Sequence, residues 1–240
     1  GEVTEPMKLR SAELNPKGTT DLRWILALFA SLACLALLAS GNPLNAGIQG
    51  SPHDFSALSP RQEICLFCHT PHNADTTVSD APLWNHTLTA NTFTPYGGYD
   101  MDGVFLANPL TSAELEISYL CLSCHDGSVA LDAFSRNSVS PGTNIAALAT
   151  VGGGGSLAQD HPVGFTYDDA LAGTDGELNT PVTGGNGPFG GEIVGDLLGS
   201  TTMGCNGCHD VHGTATPAGV NNLLYMDNTA SALCLVCHIK

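Results

Sequence analysis

Four Cys-x-x-Cys-His pentapeptides constrain this chain more than any other feature of its 240 residues. They use eight of the nine cysteines: Cys65, Cys68 and His69; Cys121, Cys124 and His125; Cys205, Cys208 and His209; Cys234, Cys237 and His238. This spacing is the attachment signature of haem c, in which both thiols form thioethers and the adjacent His ligates the iron. The sequence therefore predicts four covalently bound haem c groups and their iron ions.

Three other uses of paired cysteines fit the pattern less well. Disulfides do not require a His after the second Cys, and neither do the paired knuckles of a zinc ribbon. A redox-active Cys-x-x-Cys normally occurs once, close to a βαβ pattern. The repeated His therefore favours haem attachment over all three.

The chain between the motifs is rich in turn-forming residues, with 28 Gly and 14 Pro, and it lacks long periodic apolar segments. Without a cofactor such a composition would indicate disorder. Four rigid apolar haems would supply a core around which loops can fold. We expect a multihaem cytochrome c fold of mostly irregular coil, with short helices at the motifs and a core of stacked haems, over residues 47–240.

Residues 1–46 have the pattern of a secretory leader. Met7 is the predicted true start, and four basic residues precede an apolar run of 16 residues from Trp24 to Ala39. Because a membrane span needs about 20 apolar residues, cleavage is favoured over an uncleaved anchor, and Cys34 would be lost with the leader. We predict an exported protein that is extracellular or at the cell surface, or alternatively periplasmic.

The charge after the leader is strongly negative. Four of the seven Lys and Arg precede residue 47, as do four of the 23 Asp and Glu, so the remainder carries 3 − 19 = −16. This charge argues against nucleic acid and anionic membranes as partners. It favours basic redox partners or metal cations, and it would lower the haem potentials.

The histidine count indicates a second His ligand on each iron. Four of the nine His belong to the motifs, and five remain: His53, His72, His86, His161 and His212. Methionine, the other common second ligand, raises the potential, and only Met101, Met203 and Met226 follow the leader. Five His for four places favours bis-His ligation and low potentials.

Four of these five His are the predicted second ligands. His72 and His212 each follow a motif His by three residues, a spacing that shares one face of a helical turn and could reach a neighbouring haem. His161 precedes Pro162, which disfavours helix, and His53 lies early in the mature chain. His86 is the spare. The alternative for each is a surface His. Asp54 and Asp160 could orient their His neighbours or be solvated.

Several segments together resemble a known family: His53 to Ser56 (HDFS), Ile64 to Asn73 (ICLFCHTPHN), Ala81 to Asn85 (APLWN), Cys121 to Ala130 (CLSCHDGSVA), Asp160 to Asp168 (DHPVGFTYD), Cys205 to Gly213 (CNGCHDVHG), Met226 to Asn228 (MDN) and the final CLVCH. Their order is similar to that in secreted tetrahaem cytochromes of metal-reducing bacteria, in particular the outer-surface cytochromes that polymerise into extracellular nanowires. The resemblance implies a filament of head-to-tail copies with an unbroken chain of bis-His haems. It also implies that one haem in each subunit takes its second His from a neighbour, and His53 is the expected donor.

Electron transfer without catalysis is the function that these features favour, and we expect no catalytic residue. The protein would be a filament subunit or, alternatively, a monomeric periplasmic shuttle passing electrons between redox proteins or extracellular acceptors. A multihaem oxidoreductase would need an iron with an open second position, for which five spare His leave little room. A metal-binding surface protein is the remaining alternative, but isolated pairs such as Asp168-Asp169 are usually solvated, and no metal beyond haem iron is expected.

Overall fold

Turns, bends and irregular coil make up most of the chain that the structure describes. The computed structural model describes residues 47–59, 61–78, 81–98, 101–134, 142–213 and 223–239. The leader predicted for residues 1–46, with Met7 and Cys34, lies outside the described residues. No helix among the described residues is long and apolar enough to cross a membrane. The prediction of a coil-rich fold with few, short helices is confirmed.

Four short α-helices lie in the described chain: α1 at Ser112–Leu115, α2 at Ile117–His125, α3 at Asp169–Asp175 and α4 at Cys234–Cys237. Single 3-10 turns lie at Ser56–Leu58, Cys65–Phe67, Ala147–Ala149, Gly153–Gly155, Cys205–Gly207 and Thr229–Ser231, and a π-helical turn lies at Val194–Leu198. Helices of this length are marginal in isolation, so contacts with the rest of the chain must hold them in place.

Local capping fixes where α1 and α3 begin. Thr111 and Glu114 form a reciprocal capping box at α1, with the Thr111 amide donating to the Glu114 carboxylate over 2.7 Å. The carboxylate of Asp168 caps α3 by accepting the amide of Leu171 over 2.9 Å. Such caps satisfy amides that have no partner inside the helix.

A two-stranded antiparallel sheet joins the segment after His161 to the third motif. Strand β1, Phe165–Thr166, pairs with strand β2, Thr202–Met203, and Phe165 lies opposite Met203. Gly164 just before β1 has φ +80°, and a Cβ there would lie 2.8 Å from Leu110. The sheet and this close approach set the position of His161 relative to Cys205.

Ordinary apolar side chains form two clusters beneath the motifs. The first consists of Phe165, Tyr167, Ala172, Ile193, Leu197, Leu198, Met203 and Leu233, and the partly buried Cys208 and Cys237 pack against it. The second consists of Phe93, Leu110, Leu115, Leu122, Leu157 and Val163. The expectation that stacked haems alone form the core was therefore incomplete, because side chains already bury one side of the second, third and fourth motifs.

Candidate haem-attachment sites

Each motif forms a helical turn that brings its three functional residues to one side. The amide of the motif His donates to the carbonyl of the first Cys over 2.8 Å at His69, 3.0 Å at His209 and 2.9 Å at His238. The second motif lies inside α2 and ends it at His125. Residues i, i+3 and i+4 share a face of such a turn, so two thiols and one imidazole are presented together. None of the eight motif cysteines, all among the described residues, forms a disulfide.

A distant extended segment pairs with the end of every motif. Isolated antiparallel bridges join His69 to Trp84, His209 to Leu224 and His238 to Leu178. At the second motif the amide of Val151 donates to the carbonyl of His125 over 2.8 Å. These backbone pairs fix the direction of the chain at the motif His, and so help to fix where its side chain points.

Backbone carbonyls hold the Nδ1 atoms of three histidines. The distances are 2.7 Å from His69 Nδ1 to the Pro82 oxygen, 2.8 Å from His125 Nδ1 to the Ala149 oxygen and 3.0 Å from His161 Nδ1 to the Pro162 oxygen. A carbonyl can only accept, so each Nδ1 carries the proton and Nε2 keeps its lone pair. This is the arrangement that orients a metal-ligating His.

Three pairs of histidines lie at the spacing of opposite ligands on one iron. Their ring centroids are 5.9 Å apart for His53 and His125, 6.2 Å for His69 and His212, and 6.4 Å for His161 and His238. A metal–nitrogen bond of about 2.0 Å and an imidazole radius of about 1.1 Å, counted twice, predict about 6.2 Å. Each pair contains one motif His and one predicted second ligand. The residues present therefore fit bis-His haem at three motifs.

His53 is held in a state suited to metal binding. Burial lowers its pKa to about 4, helped by the nearby His125 and His209 rings, so the imidazole is neutral at pH 7. Its Nδ1 atom is buried and has no hydrogen-bond partner. The Asp54 carboxylate, for which orienting the ring and being solvated were the two alternatives, accepts the amides of Gly50 and Ser56 over 2.8 Å and 3.1 Å.

The helical turn expected between each motif His and the His three residues later is absent in the structure. His69 and His209 are bridge residues, and the chain bends away after both. His212 faces His69 of the first motif, with the ring planes 29° apart. The prediction that His212 reaches a neighbouring motif fits this geometry, but no helical turn runs from His209 to His212, because His209 lies in a bridge and the turn that follows spans Asp210 to Gly213.

The first and third motifs are structural repeats separated by 140 positions. The amide of Thr70 donates to the Leu83 carbonyl over 3.0 Å, and the amide of Asp210 to the Leu223 carbonyl over 2.7 Å. The amides of Asn85 and Tyr225 likewise donate to the carbonyls of Cys68 and Cys208. Leu83 and Leu223 share a positive φ, at 62° and 59°. His72 and His212 thus occupy equivalent, solvent-exposed places in the two repeats.

Successive motifs approach one another through their thiols. A hydrogen bond with Cys121 lowers the pKa of Cys205, and the buried Ser118 hydroxyl accepts the amide of Cys205 over 2.9 Å. Burial and then the neighbouring Cys68 raise the pKa of Cys124. Burial and then Cys234 raise that of Cys208. Each motif therefore has a cysteine close to a cysteine of the next motif along the chain.

A buried carboxylate follows His125 directly. Asp126 accepts hydrogen bonds from the Thr89 hydroxyl over 2.5 Å, the Asn91 amide group over 2.9 Å and the Ser128 backbone over 2.7 Å. Burial would raise the pKa of Asp126, but these bonds outweigh it and lower the pKa. The second motif consequently carries a fixed negative charge in its immediate surroundings.

One family of known proteins matches part of the chain. A family described as a doubled CXXCH motif matches residues 200–240, which contain the third and fourth motifs. No curated protein matches the chain significantly. The doubled motif points to multihaem c-type cytochromes. It indicates covalently bound haem c and a role in electron transfer.

Two buried residues near the motifs, His86 and Tyr167, have neighbours that were not predicted from the sequence. His86 is only 3% exposed, and its Nε2 atom lies 3.1 Å from the Cys124 sulfur. Tyr167 is buried, and its hydroxyl donates to the Asn179 carbonyl over 2.6 Å. Tyr167 lies in the DHPVGFTYD segment and could have been noticed there, whereas no sequence signal points to the neighbour of His86. Among the described residues, no three or more His, Cys, Asp or Glu converge as a separate metal site.

Proposed function

We propose that this chain conducts electrons through four closely spaced bis-His haems, one at each motif. The observation that carries the proposal is the set of three His pairs at the spacing of opposite iron ligands, because an iron held on both sides can exchange electrons but has no place for a substrate. The haem supplies the redox chemistry, while the protein fixes ligation, spacing and burial.

The repeat suggests how the four second ligands are distributed. His53 serves the haem at residues 121–125, His161 the haem at 234–238, and His212 the haem at 65–69. Because His72 is the counterpart of His212, it serves the haem at 205–209. The first and third haems would then each take the second ligand from the other repeat.

The side chains and carbonyls around the motifs orient the ligand histidines and set the charge around the haems in this proposal. Pro82, Ala149 and Pro162 accept Nδ1–H groups through their carbonyls, which would leave each Nε2 free to bind a haem iron. The negative charge of Asp126 and of the domain as a whole stabilises the oxidised form and lowers the potentials. Contacts between successive motifs keep neighbouring haems close.

Assembly into an extracellular filament is the finer form of the proposal, and the resemblance to the nanowire cytochromes supports it. His53 lies beside His125 of its own chain, so ligation inside the subunit is available to it, and donation to a neighbouring copy stays a prediction. A monomeric shuttle in the periplasm is the second candidate, favoured by this pairing within one chain. A multihaem oxidoreductase would need an open iron.

A spectroscopic comparison of two His variants tests the proposed bis-His ligation of the haems. Holoprotein carrying His161→Ala should gain the electron paramagnetic resonance signal of one high-spin ferric haem, because the iron at His238 loses its second ligand. The matched control His86→Ala should add no high-spin signal. A His161→Ala protein with only low-spin haems would contradict the ligand assignment.

The state of assembly needs a separate measurement. Purified holoprotein and His53→Ala are imaged by electron cryomicroscopy at equal concentration. Filaments that are lost in the variant support donation between copies. Filaments that persist, with a high-spin haem in each subunit, support assembly with His53 bound in its own chain. Dispersed wild-type subunits would contradict the filament and favour the monomeric periplasmic shuttle.

A further inference from the structure

His86 is a buried imidazole that faces the second attachment motif without facing a motif His. The side chain is 3% exposed, and Nε2 lies 3.1 Å from the sulfur of Cys124. Its backbone is fixed on both sides: the carbonyl accepts the Trp84 indole N–H over 2.9 Å, and the residue forms a bridge with Phe134. The ring is therefore held against a haem-attachment sulfur.

The position of His86 joins two motifs. Backbone groups of Phe67 and Ser123, the residues just before Cys68 and Cys124, and the Asp132 carboxylate lie near its ring and raise its pKa. Its Nδ1 atom is buried and has no hydrogen-bond partner. Burial lowers the pKa of His86, which keeps the ring neutral at pH 7. A neutral imidazole has one N–H and one lone pair, so its tautomer decides what it offers to the sulfur.

Haem attachment decides the tautomer. When a thiol adds to a vinyl group, the sulfur bonds to one vinyl carbon and its hydrogen goes to the other, so no oxidant is required. The resulting thioether sulfur has no hydrogen and can only accept a hydrogen bond. A proton on Nδ1 would leave the lone pairs of Nε2 and of the sulfur facing each other over 3.1 Å. A proton on Nε2 can be donated to the sulfur.

We propose that His86 is a positioning residue that donates its Nε2–H to the thioether sulfur of Cys124 and raises the reduction potential of that haem. This inference rests on the proposed haem at residues 121–125. A hydrogen bond to the sulfur draws electron density from the porphyrin edge and places the positive end of the N–H dipole beside the haem, which favours the reduced form. His86 thereby opposes the negative charge of Asp126 on the same motif.

Two variants of the holoprotein separate donation from packing. His86→Phe keeps the ring volume and removes the donor, whereas His86→Gln keeps an N–H near the position of Nε2. In a redox titration followed by haem absorbance, His86→Phe should move one of the four transitions to a lower potential, and His86→Gln should leave all four near wild type. Equal shifts in both variants, or none in His86→Phe, would overturn the proposal.

A measurement on the unaltered protein covers the case in which His86→Phe does not fold. Nitrogen nuclear magnetic resonance of the reduced, diamagnetic holoprotein should show the Nε2–H tautomer of His86, and the Nδ1–H tautomer would overturn the proposal. A new high-spin haem in His86→Gln would instead make His86 an axial ligand. Peptide mapping that finds no haem on Cys121 and Cys124 would contradict the proposed function itself. That outcome differs from a redox or tautomer result that contradicts only the role of His86.

Discussion

His69 and His212 face each other with ring centroids 6.2 Å apart, although His69 belongs to the repeat around the first motif and His212 to the repeat around the third. Their planes differ by 29°, and the Nδ1 atom of His69 is held by the Pro82 carbonyl. One iron between them would tie the beginning of the domain to residues far along the chain. Ligation and tertiary structure are therefore expected to depend on each other.

Replacing His212 by Ala should free one axial position on the haem at residues 65–69. We expect one of the four low-spin ferric signals to be replaced by a high-spin signal, because an imidazole pair gives way to water or an open site. Electron paramagnetic resonance of the oxidised holoprotein measures this. Retention of four low-spin haems would show that another residue is the ligand.

His72→Ala should have the same effect on the haem at residues 205–209. The reason is the repeat that places His72 and His212 at equivalent positions, 140 residues apart. The double variant should show two high-spin haems, and the effects should add because two irons are involved. If His72→Ala alone changes no haem, the exchange of ligands between the repeats is wrong.

Much of the site could be predicted from the sequence because Cys-x-x-Cys-His encodes its own geometry within one turn. The second ligands were harder to assign, since their partners depend on how distant segments pair. His161 could be expected on extended chain because Pro162 follows it, and the structure agrees. The turn expected at His69 was wrong because pairing with Trp84 takes over the backbone there.

The side-chain clusters and the place of His86 were not predictable in the same way. Phe93, Leu110 and Leu157 come from separate coil segments without helical or strand periodicity, so no local pattern marks them as core. Only the residues that surround His86 in the fold distinguish it from the predicted ligands. Long-range packing supplies this information, and it does not follow from spacing along the chain.

Ser118→Ala should destabilise the holoprotein by about 1–3 kcal/mol, the range for leaving a buried polar group unsatisfied. The fully buried Ser118 hydroxyl accepts the amide of Cys205 over 2.9 Å and joins α2 to the third motif. Denaturant unfolding measures the loss. The exposed Ser112→Ala in α1 is the control and should change the free energy of unfolding by less than about 0.5 kcal/mol. Equal values for both variants would contradict the role given to Ser118.

Tyr167→Phe should lower the free energy of unfolding by about 1 kcal/mol, because a buried hydrogen bond to the Asn179 carbonyl is lost while the ring remains. Asn179 in turn donates its side-chain amide to the Val236 carbonyl over 2.9 Å and supports the fourth motif. We therefore also expect faster loss of low-spin character at His238 on heating. Tyr96→Phe, at a partly exposed tyrosine, serves as the comparison. An unchanged Tyr167→Phe protein would show that the hydroxyl is dispensable.

The central claim is that all four motifs carry haem c with two His on each iron. Intact mass spectrometry of the matured holoprotein, combined with spin quantitation by electron paramagnetic resonance on the same sample, tests it most directly. The account predicts four haems per chain and four low-spin ferric centres without a high-spin signal. Fewer than four haems, or a stoichiometric high-spin centre in the wild-type protein, would contradict it.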